Sequence, residues 1–438
     1  MSTKVGKQTS GIHLTSAFDQ EIAELVQSEE QRQLETINLI PSENFASPIS
    51  TELEGCIFAC KNAEGYPGRR FVAGCDYADK VEKLAIARLK KIFNCEHANV
   101  QGMSATIANV ALLQAVLDPG DVILTMGLSE GGHLSHGANF HVSGRQYKVF
   151  HYGVKKDTET INYEEVAELA ISHKPKLIVC GASSYPRNID FMKFGDIARS
   201  VGALLWADIA HTVGLIVAGV IPSPFPYADF VTSSTHKTWR GPRGGAVVLC
   251  RKEWARKVDR ALFPGLQGAP KMDLIAARAV FFKEVQTEEF RAYAKDVIKN
   301  ASALAKGLKQ SGTRLVSGGT DTHLVLIDVR SSIGTGAAAQ DLLESVGIIT
   351  NRNQIPFDRA PPEVGSGLRL GSPAMTTRGM MEEDFFRLGQ LISCALSNHD
   401  SQLELSKIKA ETLSMTNNLP LFAEKWLPRE LFATHKET

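Results

Sequence analysis

The stretch Val231-Thr232-Ser233-Ser234-Thr235-His236-Lys237-Thr238, followed by Gly241-Pro242-Arg243-Gly244-Gly245, decides how the rest of the chain is read. An apolar strand (Ala228-Asp229-Phe230-Val231) runs into hydroxyl side chains, a histidine and one lysine, then into a glycine-flanked turn. A lysine that attacks a carbonyl needs a lowered pKa and a dipole network around it, and this setting can supply both. The competing reading is an ordinary surface-turn lysine. Upstream, Ala203-Leu204-Leu205-Trp206 reads as a buried strand that ends in Ala207-Asp208-Ile209-Ala210-His211. A carboxylate closing one buried strand, with a lysine beyond a neighbouring one, is the pairing that pyridoxal phosphate requires. The lysine holds the aldehyde, and the carboxylate keeps the pyridine nitrogen protonated so that the ring accepts electrons.

Outward from this pair, short apolar runs alternate with helical patterns. Strands are expected at 122–126, 148–152, 177–181, 203–207, 230–233 and 246–250, with helices at 104–117, 163–173 and 194–201. Ahead of them, Val81, Leu84, Ala85, Leu89 and Ile92 recur at helical spacing across 79–93. The alternation predicts an α/β fold: a large, mostly parallel sheet covered by helices, with ligands at the strand C-termini. A long helical stretch at 271–310 then leads to strands at 324–329 and 367–371 and helices at 337–346 and 382–396, an α+β C-terminal unit. The expected division is an N-terminal arm (1–50) with a helix at 17–35, a large domain (51–300), and a small C-terminal domain with its own arm (301–438).

The chain has 438 residues, 43% of them hydrophobic, enough for more than one core. Lys plus Arg and Asp plus Glu both number 48, a balance that argues against nucleic-acid binding. No apolar run approaches the roughly 20 residues of a bilayer span. The first twenty residues lack the apolar core of a secretory leader. The seven cysteines show no Cys-x-x-Cys spacing, so reduced thiols in the cytoplasm are expected and a metal site is not.

Other residues carry chemistry or its ordinary alternative. Ser104-Ala105-Thr106 opens a helix, as a plain N-cap or as a phosphate seat of free N–H groups. His133, in Gly131-Gly132-His133-Leu134-Ser135-His136, could stack on a planar ring or be a bland loop histidine; His13, His173 and His399 receive only the bland reading. Glu64, in Glu64-Gly65-Tyr66-Pro67-Gly68-Arg69-Arg70, is either part of a solvated ion-pair cluster or a proton donor in a cleft. Arg369, among apolar neighbours, is either a structural ion pair or a bidentate clamp for a carboxylate.

Together these motifs closely resemble the serine hydroxymethyltransferase family of fold-type I pyridoxal-phosphate enzymes, from about residue 39 to residue 384. The resemblance rests on Leu39-Ile40-Pro41-Ser42-Glu43-Asn44 and on 63–70, 131–137, 208–211, 235–245, 317–322 and 366–379. It implies that Lys237 forms the imine with the cofactor and that Lys237, Glu64 and His236 make the catalytic set. It further implies cofactor contacts from Ser104, Ala105, Thr106, His133, Ser183, Asp208 and His211. Gly268 and Ala269 would be contributed by a second subunit. Ser42, Asn62 and Arg369 would hold the amino-acid substrate, and Leu128, Gly131, Gly132, Leu134 and Asn353 would face tetrahydrofolate. A homodimer or tetramer with shared sites follows from the same resemblance.

The departures fall on the hydroxyl- and folate-handling parts. Asn62, Phe71 and Val72 stand where the family has tyrosines, and Pro361-Pro362-Glu363-Val364-Gly365 replaces its folate-side segment. Ala105, Thr106, Leu266 and Ala269 are small changes in the phosphate loop and the turn. The expected activity is cleavage of Cα–Cβ in serine, or α-methylserine, with the one-carbon unit passed to tetrahydrofolate. The alternative is a folate-independent aldolase or transaldolase acting on threonine or another β-hydroxy amino acid, which Val72 favours because it has no hydroxyl to relay a proton.

Overall fold

The computed structural model describes residues 13–433; the polar N-terminal tail and the last residues of the C-terminal arm lie outside the described residues. Seven strands form the central sheet, in the order His97–Asn99, Ala246–Cys250, Phe230–Ser234, Leu204–Asp208, Leu177–Cys180, Val122–Met126, Lys148–Tyr152. Ala246–Cys250 runs antiparallel to both of its neighbours, and the remaining pairings are parallel. The inner strands Leu177–Cys180 and Ala246–Cys250 are rich in Val, Ile and Leu, as expected where both faces of a sheet are covered and little side-chain surface is left to water.

The strand that ends in Asp208 lies beside the one that precedes Lys237, with Asp208 level with Thr232. Trp206 fixes that register from within by donating from Nε1 to Thr232 Oγ1 at 2.8 Å. Gly181 has to be glycine: its φ is +144°, and a Cβ there would lie 2.2 Å from the Asp208 carbonyl oxygen.

The second unit carries a four-stranded antiparallel sheet, Arg314–Leu315, Leu324–Asp328, Gly367–Gly371 and Asn351–Asn353, in that order. Its core also takes Ile37 and Leu39, because Ile37–Asn38 pairs in parallel with Ile348–Ile349. The expected helical stretch at 271–310 is two helices, Met272–Glu284 and Glu288–Gln310. Thr287 causes the break: its hydroxyl caps the second helix by accepting from the Phe290 N–H, and Glu288 and Glu289 follow in the first turn, where the helix dipole favours acids. That second helix buries Phe290, Tyr293 and Val297 in the core of the large sheet and Leu304 and Leu308 in the core of the small one.

Candidate active site

At the C-terminal ends of the central strands, Asp208 is 8% exposed and accepts three hydrogen bonds. His136 Nε2 lies 2.9 Å from Oδ2, Asn109 Nδ2 donates to the same oxygen at 2.8 Å, and the Ala210 N–H donates to Oδ1 at 3.0 Å. Burial alone would raise this carboxyl's pKa. The hydrogen bond and positive potential of His136 overcome burial and hold it below the usual carboxylate range. Asp208 is thus a fixed negative charge that faces a cavity through a low-dielectric wall.

Lys237 stands near it, half-buried, with its ammonium pushed down to about 8 by desolvation, against the pull of Asp208 and with a further push from Arg369 and Arg243. A surface-turn lysine is therefore excluded by its position. Its carbonyl oxygen accepts from Asn44 Nδ2 at 2.8 Å and from the Arg240 N–H at 3.0 Å, so the turn is held from two sides. His236, just before it, is pushed down to about 3 by burial, and its Nδ1 is buried without a hydrogen-bond partner.

His133 stands near both Asp208 and Lys237, with Nδ1 2.7 Å from the Ser135 hydroxyl and burial pushing the ring down to about 3. His211 is buried against His323, Nδ1 to Nε2 3.3 Å, and burial keeps it neutral. Arg369 reaches in from the small sheet: Nη1 donates to the Ser183 carbonyl oxygen at 2.6 Å and Nε to Asn351 Oδ1 at 3.2 Å. No carboxylate is among these hydrogen-bond partners, so the structural ion pair considered for Arg369 is not formed. Ser183 is in turn hung on Gly131 by its N–H at 2.8 Å. Ser42 belongs to the segment whose Leu39 accepts from the Gly371 N–H, two residues beyond Arg369.

Ser104 caps the helix Ala105–Val116, accepting from the Ile107 N–H at 3.2 Å. The first N–H groups of that helix, those of Ala105 and Thr106 among them, have no intrahelical acceptor and are available to an anion. Leu128 and Leu134 are about one third exposed or more, while Gly132 is buried against Met126 and Asn353 pairs with Gly367 in the small sheet.

The loop of Asn62 and Glu64 and the turn that leads to Gly268 and Ala269 are both tied to Gln101. The Glu64 N–H donates to Asn62 Oδ1, and Gln101 Nε2 donates to the Gly65 carbonyl oxygen at 2.9 Å. Gln267 Nε2 donates to the Gln101 carbonyl oxygen at 2.8 Å, and Phe71 packs on Phe263 with ring centroids 5.8 Å apart. Arg70 pairs with Asp79 at 2.8 Å and Glu82 at 2.6 Å, so the ion-pair cluster expected around Glu64 forms with other carboxylates. The hydrogen bonds of this second group run among its own loops rather than to Lys237.

Three residues of the site escaped the sequence reading. Asn109 carried a usable signal, a polar side chain in a helix otherwise buried and apolar (Ala108, Val110, Ala111, Leu112). His136 sat in a quoted motif but was overshadowed by His133, and His323 had no local signal at all.

A charged carboxylate, a half-buried lysine, neutral histidines and an arginine gathered at the C-terminal ends of the central strands define the class: an α/β enzyme of fold type I. The family pattern described as "Serine hydroxymethyltransferase" matches residues 15–392. A serine hydroxymethyltransferase from Myxococcus xanthus (strain DK1622) is 48% identical over 414 residues, covering 94% of this chain and 99% of the relative. The chain belongs to the serine hydroxymethyltransferase family. Among the described residues no cluster of His, Cys, Asp or Glu could hold a metal ion, and no helix is long and apolar enough to cross a membrane.

Proposed function

We propose that this chain is a pyridoxal-phosphate-dependent serine hydroxymethyltransferase that uses tetrahydrofolate as acceptor. The observation that carries the reading is the half-buried Lys237, with its ammonium lowered to about 8, beside an Asp208 that His136 keeps ionised and Asn109 holds by a hydrogen bond.

The residues fit the cofactor. The phosphate would sit on the N–H groups of Ala105 and Thr106 and beside Ser104 and His236, whose Nδ1 otherwise lacks a partner. Asp208 would pair with the ring nitrogen, His133 cover one ring face, and His211 meet the phenolic oxygen. When bound, the cofactor supplies an electron sink for the bond broken at the substrate's α-carbon. The chain's own residues do the rest. Lys237 is neutral in an appreciable fraction near pH 8 and would be the residue to hold the cofactor's aldehyde carbon. Arg369, fixed by Ser183 and Asn351, would take the substrate carboxylate and so orient the substrate's α-carbon. Glu64 handles the substrate hydroxyl proton. Leu128, Leu134, Gly132 and Asn353 line the folate side.

Glu64, Asn62, Gly268 and Ala269 serve the site of a second copy of this chain, so the working unit is a homodimer or a larger assembly. Support comes from the hydrogen bonds of these loops, which run to Gln101 rather than to Lys237, and from the apolar side chains left on the surface: Leu14, Phe18, Ile22 and Leu25 on the N-terminal helices, and Ile57, Phe71 and Tyr77 near the Glu64 loop. The seven free cysteines fit a reducing cytoplasm.

The test is purified protein with L-serine, with and without tetrahydrofolate, followed by glycine formation. Strong acceleration by tetrahydrofolate, with methylene-tetrahydrofolate as product, supports the proposal. Aldehyde release from threonine without any folate effect would replace it with the aldolase reading, to which Val72, packed against the core without a hydroxyl, lends its weight.

A further inference from the structure

Three residues beyond Lys237 stands a cation that none of this chemistry uses. Arg240 is 1% exposed and sits at φ +63°, a conformation that favours glycine. Its guanidinium lies in a three-sided aromatic box, 4.4 Å from the Tyr293 ring centroid, 4.7 Å from Phe422 and 5.6 Å from Phe290. Nη2 donates to Glu284 Oε1 at 3.1 Å and to the Trp426 carbonyl oxygen at 3.5 Å, while Nε and Nη1 are buried without hydrogen-bond partners. Glu284 is shared with the N-terminal arm, accepting from the Ser47 hydroxyl at 2.5 Å.

Burying a guanidinium with two N–H edges unmatched destabilises a fold, and a left-handed arginine adds strain. An apolar residue would fill the box at less cost, so the guanidinium has a use other than core stability. The walls it packs against point to that use. The backbone N–H of residue 240 closes the turn on the Lys237 carbonyl oxygen at 3.0 Å, so the guanidinium acts on that turn through its box. The same oxygen takes Asn44 Nδ2, which also donates to the hydroxyl of Tyr293, a wall of the box. Thr377 fixes Asn44 by donating to its Oδ1 at 2.7 Å. Another wall, Phe422, and the carbonyl of Trp426 come from the C-terminal segment. That segment is pinned by Trp426 Nε1 to the Thr376 carbonyl oxygen at 2.9 Å and by the Ala423 N–H to that of Thr377 at 2.9 Å.

We propose that Arg240 is a positioning residue for Lys237, and that the C-terminal segment around Phe422 and Trp426 completes its seat. The N-terminal arm, the C-terminal segment and the small unit thereby meet on one turn, and their packing determines where the imine-forming lysine stands. This gives a role to a segment whose sequence suggests none. The inference rests on the reading of Lys237 given above.

The test uses protein loaded with pyridoxal phosphate. Cofactor affinity, visible circular dichroism per bound cofactor and thermal midpoint are measured for the parent, Arg240→Met, Arg240→Lys, Phe422→Ala and Lys237→Ala. Arg240→Met and Phe422→Ala are expected to weaken cofactor binding by about tenfold and to diminish the dichroism. Arg240→Lys keeps the charge but neither stacks nor forks, and is expected to follow Arg240→Met rather than the parent. Variants that lose thermal stability yet keep the parent's affinity and dichroism would overturn the proposal and leave a purely structural cluster. Should Arg240→Met not fold, Phe422→Ala, which leaves the arginine in place, decides by the same two readings. A parent whose cofactor spectrum matches that of Lys237→Ala overturns the functional reading and this inference together; a lysine-dependent spectrum with unmoved variants overturns this inference alone.

Discussion

Asp208→Asn is the substitution that most sharply separates charge from shape at this site. The amide keeps the volume of the carboxylate but presents a neutral group to three donors, Asn109 Nδ2, His136 Nε2 and the Ala210 N–H. A hydrogen bond from an ionised group contributes about 1.5–3 kcal/mol against about 0.5–1.5 for a neutral one, so the pyridinium partner loses roughly 1–2 kcal/mol in the ground state. Reaction places more of the developing charge on the ring, and the low dielectric around a side chain only 8% exposed strengthens that loss. A total of about 3–4 kcal/mol corresponds to a fall in kcat of about 10²–10³-fold. The assay is glycine formation from L-serine at saturating cofactor, with the thermal midpoint measured in parallel. A second readout follows from linkage. The Asp208 pKa is depressed in the folded state, so its stability contribution is present above the unfolded value of about 4 and is lost as pH falls through the folded value. Asp208→Asn should therefore flatten the acid limb of the stability curve. A kcat within about threefold of the parent, with the cofactor bound, would refute the reasoning.

Lys237→Met, with the cofactor removed from both proteins, should be more stable than the parent near neutral pH. The folded lysine pKa of about 8 lies below the ordinary lysine value of 10.5, so burying the charged form costs roughly 3 kcal/mol below pH 8. That cost fades as pH rises from about 8 to 10.5, and urea titrations that show no convergence over this window would contradict the assignment. Gly181→Ala, with its added Cβ 2.2 Å from the Asp208 carbonyl, should cost about 2–4 kcal/mol and weaken cofactor binding; a thermal midpoint equal to the parent's would show that the strand end yields freely. Arg369→Lys loses the Nε and Nη fork held by Asn351 and Ser183, and should raise KM for serine by about tenfold or more at unchanged cofactor affinity, as steady-state kinetics will show. Mixing Lys237→Ala with Glu64→Gln subunits should restore activity absent from either variant alone, because one site of each mixed dimer pairs an intact lysine with the other chain's intact glutamate. A mixture as inactive as its components would place Glu64 in the site of its own chain.

The central strands were legible in the sequence because parallel strands buried on both faces are nearly continuous runs of Val, Ile and Leu bounded by polar residues. His97–Asn99, Arg314–Leu315 and Asn351–Asn353 were not, since two or three residues are too few to set a period. The helix Gln402–Thr416 lacks a clear apolar face, with Leu403 and Leu413 exposed, and stayed invisible for that reason. Lys237, Asp208 and Arg369 stood out as charges among apolar or small neighbours. The hydrogen bonds that tune them link residues 99, 72 and 112 positions apart, Asn109 and His136 to Asp208 and His323 to His211, so only the folded chain shows them. The tie of the Glu64 loop to Gln101 was equally hidden, because sequence proximity to Arg69 and Arg70 suggested an ion pair that Asp79 and Glu82 make instead.

The most direct test of the account is to load the purified protein with pyridoxal phosphate, reduce it with borohydride and map the modified peptide by mass spectrometry. The cofactor is predicted on Lys237 alone, with labelling abolished in Lys237→Ala. A label on another lysine, or undiminished labelling in Lys237→Ala, would contradict the site on which every step above depends.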